Sequence, residues 1–196
     1  MELVIALKKQ GWLWIEEYIW HKKNSMCGKW PNRFRDAWEH CYHFTKQKEF
    51  KMFQDSVKVP VKASTIERVS RCKGNDLKRM NYTETTGSHF GIKKDNFVGK
   101  KTVYPDNVLY LSTETSNKNH SAPFPKGLPL WFIKLFSDKT DIVLDPFAGA
   151  GTTCLVAKEL GRQYLGIELN PEYAKMAQNK LNGFNILDSF QFLGVQ

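Results

Sequence analysis

The stretch from Asp141 to Asn170 constrains the fold more than any other part of this 196-residue chain. An apolar run that ends in Asp145 is followed by a glycine-rich turn, a helical pattern and a second apolar run that ends in Glu168. The order strand, glycine loop, helix, strand and acid predicts a βαβ unit with a nucleoside site at its edge.

The residue types in this turn suit a nucleoside ligand. Gly149 and Gly151 let the backbone turn sharply and leave room for a ligand. The helix predicted from Thr152 to Leu160 offers N–H groups at its start, where two consecutive threonines can cap it. Glu168 lies 23 positions after the first acid, where a carboxylate can accept hydrogen bonds from both ribose hydroxyls.

Two features argue against the usual dinucleotide fingerprint. Cys154 stands where that fingerprint has its third glycine, and Asp145 and Phe147 before the glycines are foreign to it. The remaining alternative is an ordinary strand–turn–helix without a ligand. The two acids at the tips of consecutive strands favour the ligand site.

The stretch resembles motifs I and II of the S-adenosylmethionine-dependent DNA amino-methyltransferases, which methylate the exocyclic amine of cytosine or adenine. The resemblance implies that the loop glycines and phenylalanine lie under the methionine end of the cofactor. It also implies that the first acid lies near the amino group of the cofactor and that the second holds the ribose. The cofactor-binding residues predicted in this stretch are Asp145, Phe147, Gly149, Gly151, Thr152 and Glu168.

A second resemblance precedes the first. The pattern His-x-Ala-x-Phe-Pro from His120 to Pro125 resembles motif X, which comes before motif I in the circularly permuted, beta-class branch of that family. Phe124 and Pro125 are therefore predicted to pack on the methionine side of the cofactor. By itself the pattern would suit a proline-rich loop before the helix predicted from Leu128 to Ser137. It resembles cytosine-N4 enzymes more than adenine-N6 enzymes, and both stay open.

Basic residues are concentrated outside the predicted cofactor half. Residues 1–140 carry 25 lysines and arginines against 14 acids, whereas residues 141–196 carry 4 against 6. Between Lys58 and Lys101, 11 basic residues meet 4 acidic ones. A solvated basic face is the ordinary explanation, but beside the motif I stretch this excess favours double-stranded DNA as the partner.

The chain is predicted to have three parts. Residues 1–48 contain a helix from Glu2 to Gln10 and strands from Glu17 to His21 and from Trp38 to Thr45. This part resembles the C-terminal strands of the catalytic sheet in the same family. The predicted class is α/β, with a mostly parallel, Rossmann-like sheet of the S-adenosylmethionine-dependent methyltransferase fold and helices on both faces.

The other two parts carry recognition and cofactor binding. Residues 49–115 are polar and basic, and the resemblance implies a target-recognition region, with a disordered linker as the alternative. Residues 116–196 contain motif X and the S-adenosylmethionine-binding half. A final strand from Phe184 to Leu187 is a weaker expectation.

One expected motif is missing. In this branch the catalytic motif is Ser, Asp or Asn, then Pro-Pro and an aromatic residue, which together position the flipped base. No two prolines adjoin in this sequence, so no catalytic residue is assigned. We expect a fold that is incomplete on its N-terminal, catalytic-loop side. The chain would be one part of a split enzyme, a fragment, or an inactive remnant, and an N-terminal complementing chain would supply the motif.

Cysteine spacing and hydropathy exclude some other classes. The four cysteines form no C-x-x-C pair, which suits a reducing cytoplasm. The set Cys27, His40, Cys41 and His43 fits no familiar zinc pattern, so no metal is predicted. No apolar stretch reaches membrane-spanning length.

Overall fold

A computed structural model describes residues 2–25, 28, 31–72, 98–114 and 124–182. The chain divides into a larger unit, Met1–Ser56 with Asp106–Gln196, and a smaller unit, Val57–Pro105. Part of the predicted recognition region, most of the motif X pattern and the strand predicted from Phe184 to Leu187 lie outside the described residues.

Seven strands and five α-helices are described, together with a 3-10 turn at Gln54–Val57. The helices are α1 Glu2–Lys9, α2 Ala63–Ser70, α3 Gly127–Phe136, α4 Thr152–Glu159 and α5 Pro171–Asn182. The strands are β1 Leu13–Lys22, β2 Trp38–Thr45, β3 Val59–Pro60, β4 Thr102–Val103, β5 Val108–Leu111, β6 Ile142–Asp145 and β7 Gln163–Gly166.

The N-terminal strand is twice as long as predicted. The prediction covered Glu17 to His21, but β1 begins at Leu13 because its antiparallel pairing with β2 extends to the pair Leu13–Thr45. Gly11 separates this strand from α1: its φ of 84° is a left-handed value that ends the helix. The second predicted strand, Trp38–Thr45, has the predicted bounds.

The first sheet of the larger unit has the order β2-β1-β5. β1 runs antiparallel to β2 and parallel to β5. Tyr18 of β1 is buried, and its ring makes edge contacts with Trp131, Phe132 and Phe136 of α3. This burial raises the pKa of Tyr18 well above its usual range. The aromatic side chains of α3 therefore hold the antiparallel pair of β1 and β2 in place.

The second sheet pairs β6 and β7 in parallel, from Ile142–Gln163 to Asp145–Gly166. Ile133 of α3 and Val156 of α4 form a buried cluster against which Val143 packs. Ile142 and Leu144, which alternate with Val143 along β6, are 64% and 57% exposed. α3 and α4 thus cover the face of this strand pair that carries Val143.

Hydrogen bonds and ion pairs join the segment after β2 to the residues that precede β6. Lys51 Nζ lies 2.9 Å from a carboxylate oxygen of Asp138 and 2.7 Å from one of Asp141. The hydrogen bond from Lys51 lowers the pKa of Asp141. The Phe53 N–H donates to the Leu135 carbonyl at 2.6 Å. These bonds connect the first sheet to the second at one end.

The smaller unit contains β3, β4 and α2. β3 and β4 are antiparallel, and Lys58 Nζ lies 4.7 Å above the Tyr104 ring. Val69 of α2 is buried, whereas Lys62 and Arg68 are exposed to solvent. Among the described helices of both units, none is long and apolar enough to cross a membrane.

Candidate functional site

The predicted glycine loop connects the end of β6 to the start of α4. Asp145 is the last residue of β6, and α4 begins at Thr152. Gly149 has a φ of 52° and Gly151 a φ of 77°, both in the left-handed region that L side chains rarely adopt. The turn is fixed by a hydrogen bond from the Gly151 N–H to the Ala148 carbonyl at 2.8 Å.

Glu168, which follows β7, is hydrogen-bonded to this loop. One carboxylate oxygen accepts the Gly149 N–H at 2.7 Å, and the other accepts the Asn170 N–H at 2.8 Å. Each carboxylate oxygen has two acceptor positions, so the carboxylate retains capacity for two hydroxyl donors. The structure therefore places Glu168, the residue predicted to bind the ribose, directly against the glycine loop.

The first acid organises the other side of the loop. One carboxylate oxygen of Asp145 accepts the Phe147 N–H at 3.1 Å. This turn directs the Phe147 side chain into solvent, where it is 87% exposed. The ring is therefore accessible to a ligand that lies against the loop, although exposure alone does not assign it that role, since Phe34 outside the loop is 95% exposed.

Leu169 is a candidate that the sequence analysis missed. It follows Glu168 directly and is 85% exposed. Phe147 in the glycine loop and Leu169 after Glu168 are thus both exposed apolar side chains, and such side chains commonly line the sites of cofactors. The available signal was an apolar residue immediately after a strand-tip acid.

The start of α4 differs from the prediction. Thr152 and Thr153 lie inside the helix, and Gly151 is the N-cap residue, without a side-chain capping bond. The threonines do not cap because the left-handed Gly151 already takes the flanking position. The first turn of α4 consequently keeps N–H groups that no side-chain cap at Gly151 satisfies, and these are suited to polar ligand atoms.

Gly151 also has a packing role that the sequence did not reveal. A Cβ at this position would lie 2.7 Å from the Cβ of Ala177 on α5. Ala177 is fully buried. The absence of a side chain at Gly151 therefore permits α5 to pack against the loop, in addition to any room left for a ligand.

Phe124 and Pro125, the two residues predicted from motif X, have other neighbours than the glycine-loop residues. Phe124 lines a cavity of about 290 Å³ with Trp20 and Cys41 of the first sheet and Leu128 of α3. The Pro125 carbonyl accepts the Leu128 N–H at 3.0 Å and so begins the α3 turn. The structure brings six of the eight predicted residues together around the glycine loop, and it places Phe124 beside β1 and β2 and Pro125 at the start of α3.

Among the described residues, no group of three or more His, Cys, Asp or Glu side chains could hold a metal ion. Cys27, one member of the set considered from the sequence, lies outside the described residues.

Comparison with known proteins identifies the family. The family profile described as DNA methylase matches residues 3–179. The chain belongs to this DNA methylase family. The resemblance to DNA amino-methyltransferases is thereby confirmed.

The relatives are longer than this chain. The type II methyltransferase M.XycI of Xanthomonas campestris pv. cyanopsidis is 28% identical over 183 residues, which are 93% of this chain and 49% of that enzyme. The chain spans about half the length of this curated relative.

Solved structures show the fold. The complex of M1.HpyAVI with SAM has a TM-score of 0.59 and 22% identity, and covers 92% of this chain and 68% of that one. The PvuII DNA methyltransferase, described as cytosine-N4-specific, also has a TM-score of 0.59 and 22% identity, with coverage of 91% and 54%. These similarities confirm the predicted α/β, Rossmann-like methyltransferase fold.

The contact between Gly151 and Ala177 can be tested with two glycine variants. Gly161→Ala adds a Cβ that would have no other atom within 4 Å, at a residue whose φ is 72°. The strained backbone alone should therefore lower the free energy of unfolding by about 1–2 kcal/mol. Gly151→Ala adds the clash, and should cost roughly 1–3 kcal/mol more. Urea unfolding of both variants measures the difference. Equal losses would show that the packing on Ala177 is unimportant.

Proposed function

We propose that this chain is the cofactor-binding part of a DNA amino-methyltransferase. The complete enzyme transfers a methyl group from S-adenosylmethionine to the exocyclic amine of a base in double-stranded DNA. The observation that carries the proposal is the Glu168 carboxylate bonded to the Gly149 N–H, because it unites the two cofactor motifs in one site. Membership of the DNA methylase family supports it.

The residues present fit S-adenosylmethionine. Glu168 holds the ribose through its remaining acceptor positions, and Phe147 and Leu169 supply apolar surface. Asp145, at the tip of β6, attracts the cationic amino group of the methionine end. Bound there, the cofactor supplies a methyl group on a positively charged sulfur. This chain orients the methyl group of the cofactor. We assign no proton transfer to its residues.

Cytosine-N4 is the favoured target, with adenine-N6 as the second candidate. The pattern at His120 to Pro125 supports the first, as does the structural similarity to an enzyme described as cytosine-N4-specific. A different class of function is a non-catalytic DNA-binding remnant of such an enzyme. That alternative predicts DNA binding without S-adenosylmethionine binding.

Cofactor binding can be tested by calorimetry with S-adenosylmethionine. Glu168→Gln should weaken binding by about 10- to 100-fold, because a charged acceptor is lost from the ribose contacts. Glu172→Gln is the matched control, since Glu172 is exposed on α5 and should bind as the unaltered chain does. Equal affinity of the Glu168 and Glu172 variants would contradict the assignment. Absence of binding by every variant would favour the remnant.

DNA binding should depend on the basic surface of the smaller unit. Exchange of the exposed Lys62 and Arg68 for glutamine should reduce the slope of log affinity against log salt by about two for duplex DNA. Fluorescence anisotropy across a salt series measures this slope. Lys175→Gln, an exposed residue of α5, should leave it nearly unchanged. A slope unaffected by the double substitution would exclude Lys62 and Arg68 from the interface.

Turnover should require a complementing polypeptide with the Pro-Pro-aromatic motif. The purified chain should transfer no label from S-adenosylmethionine to DNA, because its sequence contains no adjacent prolines to position the amine. A complex with an N-terminal complementing chain should transfer it. Label transfer by this chain alone would refute the requirement.

A further inference from the structure

The segment between β1 and β2, residues 23–37, carries the most exposed large apolar side chain of the described residues. Phe34 is 95% exposed. Arg33 before it and Arg35 after it are exposed as well. Single exposed apolar residues are common on protein surfaces, so a role for Phe34 depends on what surrounds it.

Hydrogen bonds fix both ends of this segment. The Lys22 N–H donates to the Ala37 carbonyl at 2.7 Å, where the segment leaves β1 and enters β2. The side-chain oxygen of Asn24 accepts the backbone N–H of Thr113, which follows β5, at 2.6 Å. Because its two ends are fixed by the first sheet, the segment presents Phe34 from an ordered base, and less ordering is required when a partner binds.

The segment is positively charged. Residues 23–37 contain four basic residues against one acidic residue, Asp36. Arg33 Nη1 lies 2.8 Å from a carboxylate oxygen of Asp36, and Arg35 Nη1 donates to the Ser25 carbonyl at 3.4 Å. Exposed ion pairs contribute little to stability, so an arginine can exchange this carboxylate for a phosphate. The charge therefore favours a polyanionic partner.

The segment emerges at the same end of the larger unit as the glycine loop. The start of α3 lies at the end of β1, because Leu128 and Lys22 line one cavity. The end of α3 lies at the start of β6, because Phe136 and Ile142 line another cavity, together with Thr45, which pairs with the start of β1. α3 thus runs antiparallel to both strands. β1 and β6 therefore end on the same side, one before the charged segment and the other before the glycine loop.

Double-stranded DNA offers both kinds of contact that this segment can make. Its phosphates bind arginine side chains, and apolar wedges such as phenylalanine insert between its base steps. An enzyme that modifies a base takes that base out of the stack, which leaves a gap that an aromatic ring can fill. An apolar protein surface would bury the ring but would leave the excess positive charge unsatisfied.

We propose that Phe34 is a wedge that enters the base stack of double-stranded DNA, while Arg33 and Arg35 bind phosphates of the backbone. The inference rests on the proposed function, in which double-stranded DNA is the substrate. It adds a DNA contact in the larger unit, on the side of the glycine loop, to the basic surface of the smaller unit. The ring contributes the stacking that is lost when the target base leaves the duplex.

Two DNA probes test insertion: a duplex with one central abasic site and the same duplex without it. The abasic site leaves a gap that a ring can enter without unstacking a base. The unaltered chain should bind the abasic duplex about tenfold more tightly, as expected for one ring stacked on a base. Fluorescence anisotropy measures both affinities. Equal affinity for the two duplexes would overturn the proposal.

Substitutions at Phe34 assign the preference to this ring. Phe34→Ala should fold normally, because the side chain is exposed, and should lose the preference for the abasic duplex. Phe34→Trp should keep the preference, since it retains an aromatic ring. Leu3→Ala is the matched control, because Leu3 of α1 is also an exposed apolar residue, and it should bind as the unaltered chain does. A preference that survives Phe34→Ala, or an equal loss of affinity for both duplexes in that variant, would contradict insertion.

The arginines should act through charge and the ring should not. Exchange of Arg33 and Arg35 for glutamine should reduce the slope of log affinity against log salt by about two, while the preference for the abasic duplex remains. Phe34→Ala should leave that slope unchanged. A slope that the double substitution does not alter would refute the phosphate contacts.

S-adenosylmethionine binding measured on the same samples separates this inference from the proposed function. A preference for the abasic duplex that depends on Phe34, without cofactor binding, would support the wedge and refute the cofactor-binding role. Cofactor binding by a chain whose DNA affinity does not depend on Phe34 would do the opposite.

Discussion

The bond between Glu168 and the Gly149 N–H is the contact on which the candidate site depends. It crosses from the tip of one parallel strand to the loop that follows its neighbour, at 2.7 Å. Such charge-assisted bonds are shorter and stronger than neutral ones. The same carboxylate is the predicted ribose ligand, so the loop is already organised around the group that would recognise the cofactor. Less ordering is then required when the cofactor binds.

The local sequence predicted this site well because its determinants lie within about 30 residues. A strand that ends in an acid, a loop with two glycines and a helix define the turn before any distant contact forms. The packing of Gly151 on Ala177 could not be predicted in this way, since α5 approaches the loop from later in the chain. Phe124 is a similar case: its neighbours Trp20 and Cys41 belong to a hairpin about 80–100 residues earlier.

Strand length also depended on distant contacts. The local pattern marked only Glu17 to His21, whereas pairing with β2 extends β1 to Leu13. Periodicity did identify Trp38–Thr45, because its aromatic residues alternate with Glu39 and Cys41. What the sequence pattern could not specify was which strand edges would have a neighbour. That property belongs to the assembled sheet rather than to any one strand.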